Sequence, residues 1–160
     1  MILLRPMQED EYSAYLEYFI PDYAKEIESN YGLSDCESLA RAQREIEADL
    51  PVGVNTPGQV LLCLITRLGD KDQHVGYLWY KPDADMRTVF IYDFHIFGSY
   101  QGQGLGKQAL SALEQDLREK DVEQIRLRVA GDNGCARHVY ESTGFRVTGV
   151  NMSKVITDGR

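Results

Sequence analysis

The spacing of apolar and polar positions changes several times along the chain, and the changes mark its elements. Ile2-Leu3-Leu4-Arg5 is a short apolar run closed by Pro6, the pattern of a strand. From Glu9 to Phe19 the apolar residues Tyr12, Tyr15, Leu16 and Phe19 recur at helical spacing. Pro21 is expected to interrupt that helix, with a second helical stretch from Asp22 to Ser29 and a break at Asn30-Tyr31-Gly32. Ser34 or Asp35 can cap a third stretch whose apolar face is Leu39, Ala42, Ile46 and Leu50, stopped by Pro51. Val52 to Gly58 reads as loop.

Beyond Gly58 the period shortens to that of strands. Gln59 to Arg67, His74 to Tyr80 and Thr88 to Phe97 are apolar runs separated by the turn-forming segments Gly69-Asp70-Lys71-Asp72 and Pro82-Asp83-Ala84-Asp85, which predicts an antiparallel meander. The third run is apolar on both parities, with Phe90, Tyr92, Phe94 and Ile96 on one and Val89, Ile91 and Phe97 on the other. A strand of that kind is expected to be covered on both faces. Asp93 and His95 break the pattern, because a charge in a covered strand costs several kcal/mol unless it is paired or functional.

Leu105 to Lys120 is a helix with a stripe of Leu105, Ala109, Ala112 or Leu113 and Leu117. Gln124 to Val129 follows as a strand, expected to lie parallel to the Thr88–Phe97 strand because a helix separates them. Asp132 or Asn133 caps a last helix running through Tyr140 and Ser142, with Gly144 as its terminating glycine. Phe145 to Val150 and Met152 to Ile156 complete the pattern as two closing strands.

Composition narrows the function classes. At 160 residues the chain is expected to form one domain, residues 1–160, with no run long and apolar enough to span a membrane. Its start does not read as a signal peptide. Cys36, Cys63 and Cys135 are odd in number and lack metal-ligand spacing, so neither a disulfide framework nor a zinc site is expected, and a reducing, cytoplasmic location is. The net charge of −8 sits wholly in residues 1–50, which carry twelve acids against four bases. That third repels nucleic acid and favours cationic ligands, or simply forms solvated helix faces.

The densest chemical signal is the turn Ser99-Tyr100-Gln101-Gly102-Gln103-Gly104-Leu105-Gly106-Lys107, placed between a strand and a helix. Glycines there let backbone N–H groups approach an anion at the positive end of the helix. Lys107 is followed by Gln108 and not by Ser or Thr, so the turn is not a magnesium-nucleotide loop. Its GxGxG spacing also departs from the dinucleotide fingerprint.

Read as Gln101-x-x-Gly104-x-Gly106, the turn resembles the pyrophosphate-binding signature of the GNAT superfamily of N-acetyltransferases. A second segment, Asn133-x-x-Ala136-x-x-x-Tyr140-x-x-x-Gly144-Phe145, is similar to another of the family's motifs, and the element order matches over nearly the whole chain. The resemblance implies a mixed α/β fold with an about seven-stranded, mostly antiparallel sheet, about four helices on its two faces, and a splay between the fourth and fifth strands. It implies acetyl transfer from acetyl-CoA to a primary amine of a small molecule or peptide by direct attack, without a metal. Neither nucleic acid nor a membrane is a partner in that reading, and a homodimer is compatible with it.

The residues implied to hold acetyl-CoA are the backbone of Phe94, His95, Ile96 and Phe97, the turn residues Gln101, Gly102, Gln103, Gly104, Leu105, Gly106 and Lys107, and, from the last helix, Asn133, Ala136, Arg137 and Tyr140. Asn133 serves equally well as a helix cap, and Lys107 and Arg137 as solvated charges. Tyr140 is the candidate acid beside the thioester sulfur. The family often carries a carboxylate near the positions of Phe90 and Tyr92, and this sequence has aromatics at both. Asp93 is then the candidate to orient the amine and His95 to accept its proton, directly or through water; alternatively the two satisfy each other as a structural pair. The resemblance also suggests a bulge in their strand, which would re-aim these side chains. The competing reading of the whole chain is a non-catalytic acyl-CoA binding module of the same fold.

Overall fold

The computed structural model describes residues 1–156. Its strands are β1 (Ile2–Pro6), β2 (Val60–Leu68), β3 (Lys71–Asp83), β4 (Thr88–Ile96) and β5 (Gln124–Leu127); its helices are α1 (Tyr12–Tyr31), α2 (Asp35–Asp49), α3 (Leu105–Glu119) and α4 (Gly134–Ser142). The five strands form one sheet in chain order, antiparallel from β1 to β4 and parallel between β4 and β5. The meander and the parallel crossover are therefore as the sequence pattern predicts.

Each face of the sheet carries its own apolar layer. On one, Leu105, Ala109, Leu110, Leu113 and Leu117 of α3 pack on Leu62, Leu64, Leu78, Val89 and Ile91. On the other, Tyr15 and Phe19 of α1 and Ile46 of α2 pack on Leu61, Cys63, Tyr77 and Trp79. Burial of a large aliphatic or aromatic side chain is worth about 1.5–3 kcal/mol, so these two layers hold the sheet between the helices.

Four expectations are corrected. Pro21 does not interrupt the first helix: α1 runs unbroken through it. Tyr15 and Phe19 before the proline and Ala24 and Ile27 after it bury one continuous face, and that packing outweighs the roughly 3 kcal/mol that proline costs inside a helix. The second correction is the strand count, five among the described residues and not about seven. Residues 145–156 join no ladder, and Val150, Met152, Val155 and Ile156 are exposed there. Alternating apolar residues make a strand only where a neighbour supplies a hydrogen-bonding edge.

Third, β4 is not covered on both faces throughout, since Phe90 and Tyr92 are 37% and 44% exposed. Finally, the strand bounds shift: β5 stops at Leu127, β4 at Ile96, and β3 already begins at Lys71. The caps are resolved as well. Ser34 Oγ accepts from the Glu37 amide at the start of α2, and Asn133 accepts from the Ala136 amide at the start of α4.

Candidate functional site

The site is built on the C-terminal half of β4, where two local departures from a regular sheet coincide. The first is a bulge. Trp79 of β3 opposes Asp93 while Tyr80 opposes Ile91, which leaves Tyr92 as the extra residue. Before the bulge Val89 and Ile91 face α3; after it Phe94 and Ile96 do. The shift in parity turns Asp93 and His95 toward α1. In a regular strand Asp93 would share the face of Ile91 and point into the α3 layer.

The second departure is the splay. β5 pairs only with Thr88 to Ile91, and its last partner is Leu127. β4 continues to Ile96 with no strand on that side among the described residues. The Phe97 amide bonds the Val75 carbonyl across β3, at 2.8 Å, so by strand alternation the polar groups of Phe94 and Ile96 face the open side. The Ile96 carbonyl there accepts from the Gln101 side chain at 2.8 Å. Gln101 thus ties the glycine turn to the end of β4 and is placed as a brace by its side chain.

The turn itself requires glycine at Gly102 and Gly104, whose φ values are 79° and 78°. The α3 ladder begins with the Gln108 amide on the Gly104 carbonyl at 3.1 Å. The amides of Leu105, Gly106 and Lys107 precede it and have no intrahelical acceptor, so they form the positive end of the helix dipole. Lys107 lies on the first turn of the same helix. Asn133 caps α4 with its side-chain oxygen, and Ala136 supplies the capped amide. Arg137 is ion-paired with Glu141 at 2.7 Å, an exposed pair one helical turn apart.

Asp93 is enclosed by two tyrosines of α1. The Tyr15 hydroxyl donates to Oδ2 at 2.9 Å and the Tyr18 hydroxyl to Oδ1 at 3.0 Å. Burial pushes the Asp93 carboxyl up to about 7 against the opposing pull of these two hydrogen bonds, and the charges of Asp22 and Glu26 add to the rise. His95 is stacked on the Tyr18 ring with centroids 4.1 Å apart, and burial lowers its imidazole. Asp93 and His95 share a face but make no hydrogen bond to each other among the described residues, so each is held by α1 and they are not a mutual structural pair.

Tyr140 of α4 approaches from the other side of β4, 6.2 Å from the Phe94 ring and 5.5 Å from the Phe145 ring. Burial, with a smaller contribution from Asp93, pushes its phenol up to about 12. Its hydroxyl makes no hydrogen bond among the described residues. A phenol at that value stays protonated at neutral pH and donates a hydrogen bond. It is a weaker acid than an ordinary thiol at about 8.5, so donating to a leaving thiolate suits it better than giving up its proton.

The site therefore joins a helix start with unpaired backbone amides, an open strand edge, a carboxyl raised toward neutrality and a phenol without a hydrogen bond among the described residues. The acetyltransferase (GNAT) family model matches residues 17–145, which includes all of these. The chain belongs to that family. As a GNAT protein it is an acetyltransferase. YycN of Bacillus subtilis, named an uncharacterized N-acetyltransferase, is 39% identical over 157 residues, covering 96% of this chain and 97% of that protein. The crystal structure of YycN superposes with a TM-score of 0.90 over 99% of this chain and all of the other. A ribosomal protein bS18 alanine N-acetyltransferase of Haemophilus influenzae is 35% identical over 91 residues, 57% of this chain and 59% of that protein. The PaiA N-acetyltransferase of Thermoplasma acidophilum, solved in complex with coenzyme A, shares the fold with a TM-score of 0.65 at 14% identity over 94% of this chain and 93% of that one.

Sequence reasoning about this GNAT domain missed three site residues. Tyr15 read only as an apolar position of a helix and Tyr18 was not singled out, although a buried tyrosine hydroxyl needs a partner and so signals a polar group opposite. Gly76 carried no signal at all. A Cβ there would overlap the His95 carbonyl oxygen and lie 3.1 Å from its carbon, so glycine is what lets β3 approach the site segment of β4.

Proposed function

We propose that the protein transfers an acetyl group from acetyl-CoA to a primary amine of a small molecule or peptide by direct attack. One observation carries the reading: a carboxyl titrating near neutrality, Asp93, lies beside the unpaired edge of β4 and within the electrostatic reach of Tyr140. The amine must shed a proton before it attacks, since an alkylamine has a pKa of about 10. Its nitrogen then bonds the thioester carbonyl carbon, the carbon–sulfur bond breaks, and the sulfur leaves as thiolate.

In this reading the amides at the start of α3, with Lys107, hold the pyrophosphate. The Phe94 and Ile96 backbone pairs with the pantetheine arm as an added strand, and its N–H polarises the thioester carbonyl. Asp93 binds the amine and takes its proton, and the Tyr140 hydroxyl donates to the sulfur. Asp22 and Glu26 add negative potential near Asp93, and none of the three is in an ion pair among the described residues, which suits a cationic acceptor. The relative that is named for acetylating a ribosomal-protein alanine supports a nitrogen acceptor.

The test is thiol release from acetyl-CoA with a panel of polyamines, amino-sugars, amino acids and peptide N-termini. Saturable turnover with at least one amine is expected. Micromolar CoA binding without turnover on any of them would instead identify a non-catalytic acyl-CoA binding module. Tyr140→Phe is expected to lower kcat by about 10- to 100-fold, the loss of one hydrogen bond to a charged sulfur, while the melting temperature stays close to the parent's. An unchanged kcat would return Tyr140 to the core.

A further inference from the structure

Among the described residues, Tyr18 joins both ionisable groups that the β4 bulge turns toward α1. Its hydroxyl donates to Asp93 Oδ1 at 3.0 Å, and its ring lies against His95 at 4.1 Å, tilted by only 16°. The same ring also stacks on Tyr77 of β3, with centroids 5.8 Å apart and an interplanar angle of 24°. Tyr15, one helical turn earlier, occupies the other oxygen of Asp93 and is fully buried. Each carboxylate oxygen keeps further lone pairs after accepting one bond, so the clamp fixes the carboxyl plane without exhausting its acceptors.

We propose that Tyr18 is the positioning residue of the proton-accepting step, fixing the Asp93 carboxyl through its hydroxyl and the His95 ring through its aromatic face. The inference rests on the reading of Asp93 as the group that takes the amine proton. The groups that act on Asp93 are Tyr15, Tyr18, Asp22 and Glu26 from α1, with Tyr140 of α4 in electrostatic reach, His95 two residues along β4 and Tyr77 of β3 stacked on the Tyr18 ring. Of these, only Tyr15 and Tyr18 hold the charged form of the carboxyl by hydrogen bonds.

Tyr18→Phe keeps the ring and removes only the hydroxyl; Tyr18→Leu removes both. Titrations followed by NMR of the Asp93 side-chain carboxyl and the His95 ring need no substrate. In Tyr18→Phe the Asp93 titration is expected to move upward by about one pH unit, the share of one hydrogen bond to a carboxylate, with His95 unmoved. In Tyr18→Leu the His95 titration is expected to move upward, because the ring that buries it is gone, while the upward shift of Asp93 is expected to be smaller than in Tyr18→Phe, because the lost hydrogen bond is offset by lost burial. The acidic limb of kcat/KM should follow Asp93 in both variants. An Asp93 titration unchanged by Tyr18→Phe, or a His95 titration unchanged by Tyr18→Leu, overturns the inference. If the titrations move as expected while the acidic limb stays in place, the positioning holds and the assignment of Asp93 as proton acceptor fails.

Discussion

Asp93→Asn is expected to lower kcat/KM for amine acetylation by about 100- to 1,000-fold and to raise stability at pH 8. The first effect is the loss of a positioned proton acceptor, an amide being unable to take the proton. The second follows from linkage. The carboxyl is held up to about 7 in the folded protein, by burial first, against an ordinary value of 3.8. A folded-state value above the unfolded one means that the folded protein holds the proton more tightly. The stability contributed by this group is therefore fully present below about pH 4 and is lost as pH rises through 7. Its full extent, about 4 kcal/mol at roughly 1.4 kcal/mol per pH unit, is an upper bound.

The asparagine variant does not ionise and escapes that loss. Thermal unfolding at pH 5 and pH 8 checks the point: the parent should lose more stability than the variant between the two. Other titrating groups, His74 and His95 among them, are common to both proteins and cancel in the difference. A variant with the parent's pH–rate profile would remove Asp93 from the reaction.

Gly76→Ala is expected to destabilise the protein by about 3 kcal/mol, a fall of about 10 °C in melting temperature for a domain of this size. A methyl group there meets backbone on every near side, with the His95 carbonyl overlapped and Ile96 Cα at 3.2 Å. Backbone cannot rotate away as a side chain can, so β3 and β4 must separate where the site is built. Gly106→Ala is the control. The nearest atoms to a Cβ at Gly106 belong to the side chains of Val139, Ile96 and Phe94, at 3.8–3.9 Å, which is ordinary contact. It should leave the melting temperature unchanged or slightly raised, because alanine favours a helix by about 1 kcal/mol over glycine. Equal destabilisation by the two substitutions would refute the close-approach argument.

The same local physics explains which parts of the site were legible in the sequence. The glycine turn was legible because positive φ at Gly102 and Gly104 and free amides at the start of α3 are local requirements that only certain residues meet. The Asn133 cap was legible for the same reason. The interruption at Pro21 was misread because a local rule was opposed by packing that lies elsewhere in the chain. The two closing strands after Gly144 were misread because alternation describes a strand's faces and says nothing of the edge it must pair with.

By itself the sequence determined the order of elements from β2 to α4, the antiparallel meander with its parallel crossover, the glycine turn before α3 and the family to which its motifs belong. Each depends on spacing along the chain or on the conformational needs of single residues. Only the tertiary structure decided what surrounds the reacting groups. It turned Asp93 toward α1 through the bulge at Tyr92, gave its two oxygens to Tyr15 and Tyr18, and ended β5 at Leu127 so that the β4 edge stands open. Those contacts join residues 75 to 78 positions apart in the chain, and neither the burial nor the hydrogen bonds that set a carboxyl near neutrality exist until the chain has folded.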